Sequence, residues 1–240
     1  MKQPSQLLAY SLKTLDWSSA QQLQRYFSQM LPTMEDIGAV LILCEHPPMI
    51  STGREIHWRA KSAVQQNQQY CGRYGAEIYH TQGQLNAYYI SHTSRWANSP
   101  FQYRHHLQNW LMKVMETQRV TAQFETRADI LSSRTGELGY LTGQFRHQYS
   151  QFGWSLNVNS TGEVEKRMSG WQQGNQVTSV SRELCKPVRC SAIREAAIST
   201  LMELESFSSC QFHSTHPYLS RQRQPHQTTP AFVRSVVDYR

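Results

Sequence analysis

Residues 38–48 read GAVLILCEHPP, a continuous apolar run ended by an acid, a histidine and two prolines. A run this short, this apolar and this abruptly closed is a buried β-strand, and it commits the chain to a sheet with a substantial interior. It falls well short of the ~20 apolar residues of a membrane-spanning helix, and no other stretch of the sequence approaches that length. The material for an interior is there: 240 residues, 39% of them hydrophobic, are enough for one large domain, or one domain plus an appendage. Mean hydropathy is nevertheless −0.61, with the polarity carried mainly by Gln, Ser, Thr and Asn, since charged residues make up only 17%.

Around that strand the periodicity predicts three helices. In 18–31, Leu23, Tyr26, Phe27 and Met30 recur at helical spacing, with a serine placed to cap the N-terminus. In 99–118, a Ser-Pro pair opens a segment that puts Leu107, Trp110, Leu111 and Val114 on one face. In 185–207, Ile193, Ala196, Ala197, Leu201 and Leu204 mark the third. Residues 72–92 read as strand, glycine-containing turn, strand, and further strands are expected in AQFETRADIL, in 139–159 and in the run VTSVSREL at 177–184. Helices interspersed with strands predict an α+β or mixed α/β class. Residues 1–210 are expected to form the domain. Residues 211–240, rich in Gln, His, Pro and Arg, are expected to extend beyond the core.

The five cysteines (Cys44, Cys71, Cys185, Cys190, Cys210) are odd in number and form no Cys-x-x-Cys pair. Reduced thiols in a cytoplasmic protein, with no metal site and no export signal, are the expectation. Cys44 lies in the apolar strand, and packing is the role read for Cys185 and Cys190 as well. The net charge of +7 is scattered, without a basic run or an aromatic nucleic-acid signature, so neither nucleic acid nor membrane is an expected partner. A basic surface instead suits an acidic protein substrate.

Four stretches carry chemistry: LILCEHPPMISTGR (41–54), RYGAEIYHTQGQLNAYYI (73–90), GYLTGQFRHQYSQFGWSLNVN (139–159) and SGWQQGNQVTSVSREL (169–184). In that order they resemble the lipoyl/octanoyl transferase family, which shares a fold with the lipoate and biotin protein ligases. The resemblance spans about residues 38–205. It implies transfer of an octanoyl group from acyl-carrier protein to a lysine of a lipoyl domain, in 2-oxoacid dehydrogenases or the glycine cleavage H protein, by a monomer that needs no cofactor.

The family uses a cysteine nucleophile activated by a lysine, whose ammonium favours the thiolate. The resemblance places Ser169 at the cysteine position and Glu137 near the lysine position, and no lysine occurs between residues 114 and 165. Serine is a weak nucleophile without an adjacent base, and Glu137 could act as one only with a raised pKa. Lys166, three residues before Ser169, is a further neighbour in sequence. His80 matches a substrate-loop histidine, with orientation of the thioester or protonation of the leaving group as its implied role. The implied substrate-binding residues are Arg73, Tyr74, Gly75, Ala76, Glu77, Ile78, Tyr79 and His80, then Leu141, Thr142 and Gly143, then Gly153, Trp154 and Ser155. Trp154 either closes the pocket or packs in the core. Three functions follow: an octanoyltransferase-like protein of lipoate biosynthesis; an impaired or inactive homologue that binds acyl-carrier or lipoyl partners; or a ligase-type reaction through an acyl-adenylate, which needs no protein nucleophile but relies on a lysine in the same region.

Overall fold

A computed structural model describes residues 6–54, 68–75, 77–125, 129–159 and 176–216. Ala76, Ser169, Lys166 and residues 217–240 lie outside the described residues. The apolar run forms β2 (Ile37–Glu45), buried along almost its whole length. Its neighbours are β1 (Gln6–Thr14) on one side, parallel, and β6 (Gln84–Ser91) on the other, antiparallel. With β7 (Gln123–Phe124), β8 (Ile130–Ser133), β9 (Gly136–Leu141), β12 (Gly153–Asn157) and β13 (Ser209–His213) they make an eight-stranded mixed sheet in the order β13-β1-β2-β6-β12-β9-β8-β7. A three-stranded sheet, β4 (Gln68–Tyr70), β3 (Met49–Thr52) and β5 (Ile78–His80), and a hairpin, β10 (Gln144–Arg146) with β11 (Tyr149–Gln151), stand beside it.

Alternation along the strands divides the interior into two layers. Leu7, Ala9, Leu41, Leu43, Ala87 and Leu156 face the helices α2 (Pro100–Thr117) and, after a short α3 (Val180–Glu183), α4 (Cys190–Glu205). Trp110 is fully buried there and its indole N–H donates to the Ala197 carbonyl at 2.9 Å. On the opposite face Leu8, Tyr10, Val40, Ile42, Cys44 and Tyr88 pack against Leu23 and Phe27 of α1 (Trp17–Met30). Helix α1 is the crossover that two parallel strands require.

Several sequence expectations change. The cap of α1 is Asp16, whose carboxylate accepts from Ser19 N, in place of the expected serine; Ser18 lies inside the helix and donates to Asp16. Ser99 caps α2 as predicted. The run at 177–184 is only a one-residue bridge at Val177 followed by the helical turn α3, because Ser179 caps that turn and diverts the chain. Residues 6–14, not foreseen as a strand, are held between two parallel partners. Residues 211–213, placed outside the core by the sequence, pair with β1 as part of β13, and His216 sits among Tyr10, Tyr26 and Phe27. Cys44 is buried as expected, whereas Cys185 is exposed, at a positive φ of 51° just past α3, with its thiol donating to the Arg182 carbonyl.

Candidate active site

The centre lies where β3, β5 and the loop before β5 meet the α1 face of the main sheet. Three glycines let these segments touch. A Cβ on Gly53 would fall 2.0 Å from the Gly75 carbonyl, and Gly75 itself has a φ of +97° that other residues rarely adopt. Tyr74 N donates to the Gly143 carbonyl at 2.9 Å, and a Cβ on Gly143 would strike the Tyr74 ring. The loop carrying Arg73, Tyr74 and Gly75 is therefore clamped between the 51–54 and 141–143 segments.

Arg73, fully buried, points its guanidinium at Ser51, donating through Nη2 to the carbonyl at 3.0 Å and to Oγ at 2.9 Å. Ser51 Oγ lies 2.8 Å from His80 Nε2, and His80 Nδ1 lies 2.8 Å from Gln84 Oε1. The amide of Gln84 donates to Tyr79 O and Asn157 Oδ1, so Oε1 is the acceptor end. That assigns the proton of His80 to Nδ1 and leaves Nε2 to accept from the Ser51 hydroxyl. Burial, then His46 and the Arg73 charge, hold the pKa of His80 well below the usual imidazole value. His80 is a neutral ring whose lone pair is occupied. It can orient a substrate, but its one proton faces Gln84 and not a leaving group.

His46, from the EHPP segment, stacks edge-on to His80 at 5.2 Å and is itself buried. Its Nδ1 donates to Leu15 O at 2.6 Å and its Nε2 faces Tyr88 OH, while burial pushes its pKa down to about 4. The short chain Ser51–His80–Gln84 has the shape of a nucleophile, base and orienter, without the acid that would stabilise an imidazolium. Arg73 opposes that imidazolium. The chain is thus a positioning network that ties the Arg73 loop to β3.

A cavity of about 10 Å³, room for one water, opens beside this network. Of the residues singled out by sequence, Arg73, Ile78, His80, Thr142, Trp154 and Ser155 wall it. Trp17, Ser51, Tyr88 and Phe152 complete the wall; sequence reasoning had not singled them out. Ser51, Tyr88 and Phe152 lie within the quoted stretches 41–54, 73–90 and 139–159; Trp17 had no such signal. Both Trp17 and Trp154 bury an indole N–H with no acceptor. Ser155 Oγ donates to Asn86 Oδ1 at 2.6 Å, so this small residue is fixed as well.

The remaining sequence-predicted residues stand outside the cavity wall. Glu77 Oε1 accepts from Thr52 Oγ1 and Gln68 Nε2, with its pKa raised by burial. Tyr79 packs with Ile50 and Val177, and Leu141 belongs to the opposite, helix-covered layer. At Gly153 a Cβ would meet the Ala87 carbonyl at 2.4 Å, so sheet pairing alone demands a glycine there. Glu137 is buried on β9 and accepts from Tyr140 OH at 2.8 Å. Its backbone N–H donates to Gln176 O and its carbonyl accepts from Thr178 N. Glu137 thus adjoins the point where the chain returns from the segment containing Ser169, and Val177, which bridges to it, packs on Tyr79 next to His80.

Residues 16–202 match the lipoyl protein ligase A/B catalytic domain family. Among solved structures, a protein from T. acidophilum described as a lipoate protein ligase, with lipoic acid bound, gives a TM-score of 0.63 at 12% identity, over 88% of this chain and 93% of that one. A bipartite lipoate protein ligase from the same organism, described with its E2 lipoyl domain, gives 0.54 at 12% identity, over 87% of each chain. Biotin protein ligase from Aquifex aeolicus gives 0.50 at 9% identity, over 83% of this chain and 68% of that one. No curated protein sequence matches. At such identities these likenesses show the fold, which is the biotin/lipoate protein ligase-like one with a mixed sheet and flanking helices. Among the described residues, no helix is long and apolar enough to cross a membrane.

Proposed function

The chain belongs to the lipoyl protein ligase A/B catalytic domain family, and from that premise we propose that it is an octanoyltransferase-like protein of lipoate biosynthesis with impaired transfer. In this reading it engages octanoyl-acyl carrier protein and the lysine of a lipoyl domain. The thioester C–S bond breaks, the lysine amine forms the amide, and the carrier thiol leaves with the amine's proton.

The observation that carries the reading is Glu137. It is a carboxylate buried to 2% exposure, within a residue of where the family resemblance expects an ammonium. A carboxylate there raises the pKa of any thiol or hydroxyl it faces instead of lowering it. The narrowness of the cavity points the same way. A cavity on the order of 150 Å³ is what holds benzene, so an eight-carbon chain enters a space of about 10 Å³ only if Trp17, Phe152 or Trp154 moves. The two indole N–H groups without acceptors support an acyl carbonyl as the eventual occupant.

Incubation of the protein with octanoyl-carrier protein and a lipoyl domain, read by mass spectrometry, is expected to give little acylated lysine. The pair Glu137→Lys with Ser169→Cys is expected to raise the yield. Full turnover by the unaltered chain, abolished by Ser169→Ala, would overturn the impaired reading. That result would favour a second one, in which Glu137 is the base for Ser169; its motivation is the bonding of Glu137 to residues 176–178.

A further inference from the structure

Four large aromatic side chains crowd the cavity beside Ser51, His80 and Arg73: Trp17, Tyr88, Phe152 and Trp154. They are not held alike. Trp154 sits within the main sheet, paired with Ala87 on β6 and Leu141 on β9, and its ring packs against Trp110 at 5.1 Å. Tyr88 is tied through its hydroxyl to His46 Nε2. The Phe152 N–H donates to Gln24 Oε1, and its carbonyl accepts from Tyr89 N and Tyr103 OH. Trp17, by contrast, is the first residue of α1. Its ring lies 5.3 Å from His80, 5.4 Å from His46 and 6.2 Å from Phe152. Its indole N–H has no acceptor, so no side-chain hydrogen bond holds the ring there. It is also the most exposed of the four, at 8% against 4% or less for the others.

The backbone on the N-terminal side of Trp17 is firm. Leu15 N donates to Glu45 O at 2.9 Å, the Leu15 carbonyl accepts from His46 Nδ1, and the Asp16 carboxylate caps the helix. Rotation about the side-chain bonds of Trp17 therefore displaces the indole while these backbone ties stay in place. The volume concerned is large. A cavity on the order of 150 Å³ holds benzene, and an indole is bulkier than benzene. Without that ring, a cavity of about 10 Å³ would grow to on the order of 150 Å³, room for a chain of about six to eight carbons.

We propose that Trp17 determines the length of the acyl group that this site admits, its indole standing where the chain of a longer acyl group would lie. The proposal rests on the reading of the cavity as the acyl site. With the indole in place only the shortest chains fit, and a smaller residue at position 17 admits more carbons.

The test is calorimetric titration of the full chain with acetamide, butyramide, hexanamide and octanamide, neutral amides whose binding owes nothing to the protein's net charge. The unaltered chain is expected to bind octanamide no better than acetamide. Trp17→Ala is expected to bind octanamide about tenfold or more tighter than the unaltered chain does, since burial of two methylene groups alone is worth about that factor. Trp17→Phe, which keeps a ring and frees less space, is expected to gain on butyramide and not on octanamide. Phe101→Ala, which removes an exposed ring from α2, is expected to gain on none of them. Identical length profiles in the unaltered chain and both Trp17 variants overturn the proposal. So does a gain shared equally by acetamide and octanamide, which would make the site indifferent to length, or an equal gain in Phe101→Ala, which would make the uptake non-specific. Should Trp17→Ala fail to fold, the butyramide titration of Trp17→Phe decides the proposal by itself. No carrier protein, lipoyl domain or transfer step enters this experiment. Full turnover in the acylation assay would therefore overturn the impaired reading and leave Trp17 to be judged by the amide profiles.

Discussion

Acidification offers a direct test of the two buried histidines. His46 is 1% exposed, and its pKa is pushed from 6.5 down to about 4 by burial, against the support of the Leu15 carbonyl. In the unfolded chain the same ring titrates near 6.5. Above that pH both states are neutral and the histidine adds no pH dependence. Between pH 6.5 and 4 the unfolded state binds a proton that the folded state refuses, so stability falls as pH falls. Over the whole window His46 alone accounts for roughly 3 kcal/mol, and between pH 6 and 5 for about 1 kcal/mol. His80, held low by burial, by His46 and by Arg73, acts in the same direction, and so does the partly buried His216. Glu77, with its raised pKa, acts oppositely. Comparison with His46→Gln isolates the one ring, because the amide can still donate to Leu15 O and accept from Tyr88 without titrating. Urea unfolding at pH 7, 6 and 5 should show the wild type losing about 1 kcal/mol relative to the variant between pH 6 and 5. A difference that stays flat from pH 7 to 5 would refute the claim that His46 is held neutral.

Gly53→Ala places a methyl group 2.0 Å from the Gly75 carbonyl, and should cost about 1–3 kcal/mol in urea unfolding as the Arg73 loop is displaced; no loss would mean that the loop is not clamped there. Asp16→Ala removes the carboxylate that accepts from Ser19 N at 2.9 Å, with an expected loss of about 1 kcal/mol by the same measurement. Trp154→Phe leaves a smaller ring beside Trp110 and deletes an indole N–H that has no acceptor, so urea unfolding should show only the packing loss of the missing atoms, about 1–2 kcal/mol. A loss above about 4 kcal/mol would mean that more than packing is removed.

What the sequence made legible was whatever a local pattern decides. Strand β2 was visible because its residues are apolar on both faces, and α2 because Ser99 and Pro100 specify a start. Strand β1, QLLAYSLKT, carries no turn marker, and its conformation is settled by parallel partners about 30 and 200 residues away in the chain. The cap of α1 was missed by two residues because Asp16 and Ser18 are both competent, and only the path of the chain out of β1 chooses between them. The same limit applies at the site. Ser51 stood in a quoted motif, yet its partnership with His80 exists only because β3 pairs antiparallel with β5. Trp17 and Phe152 reach the cavity from two further elements, and no spacing along the chain encodes that meeting.

The geometry also separates two questions that the serine at 169 ran together. One is whether the scaffold is intact, and here the Arg73 loop argues that it is. Ser51 bonds His80, His80 bonds Gln84, the Gln84 amide donates onward to Tyr79 O and Asn157 Oδ1, and the guanidinium is locked at the other end of that chain. None of these groups is spare for proton transfer, so in this family member their work is to hold shape. The other question is where reactivity would come from. In the reading proposed above it would come from Glu137 and from the segment that returns to it at residues 176–178, where Val177 packs on Tyr79. A change in chemistry at residue 137 alters none of the hydrogen bonds that join Ser51, His80, Gln84 and Arg73. A protein that keeps one while altering the other can go on recognising acyl partners after losing the power to move the acyl group.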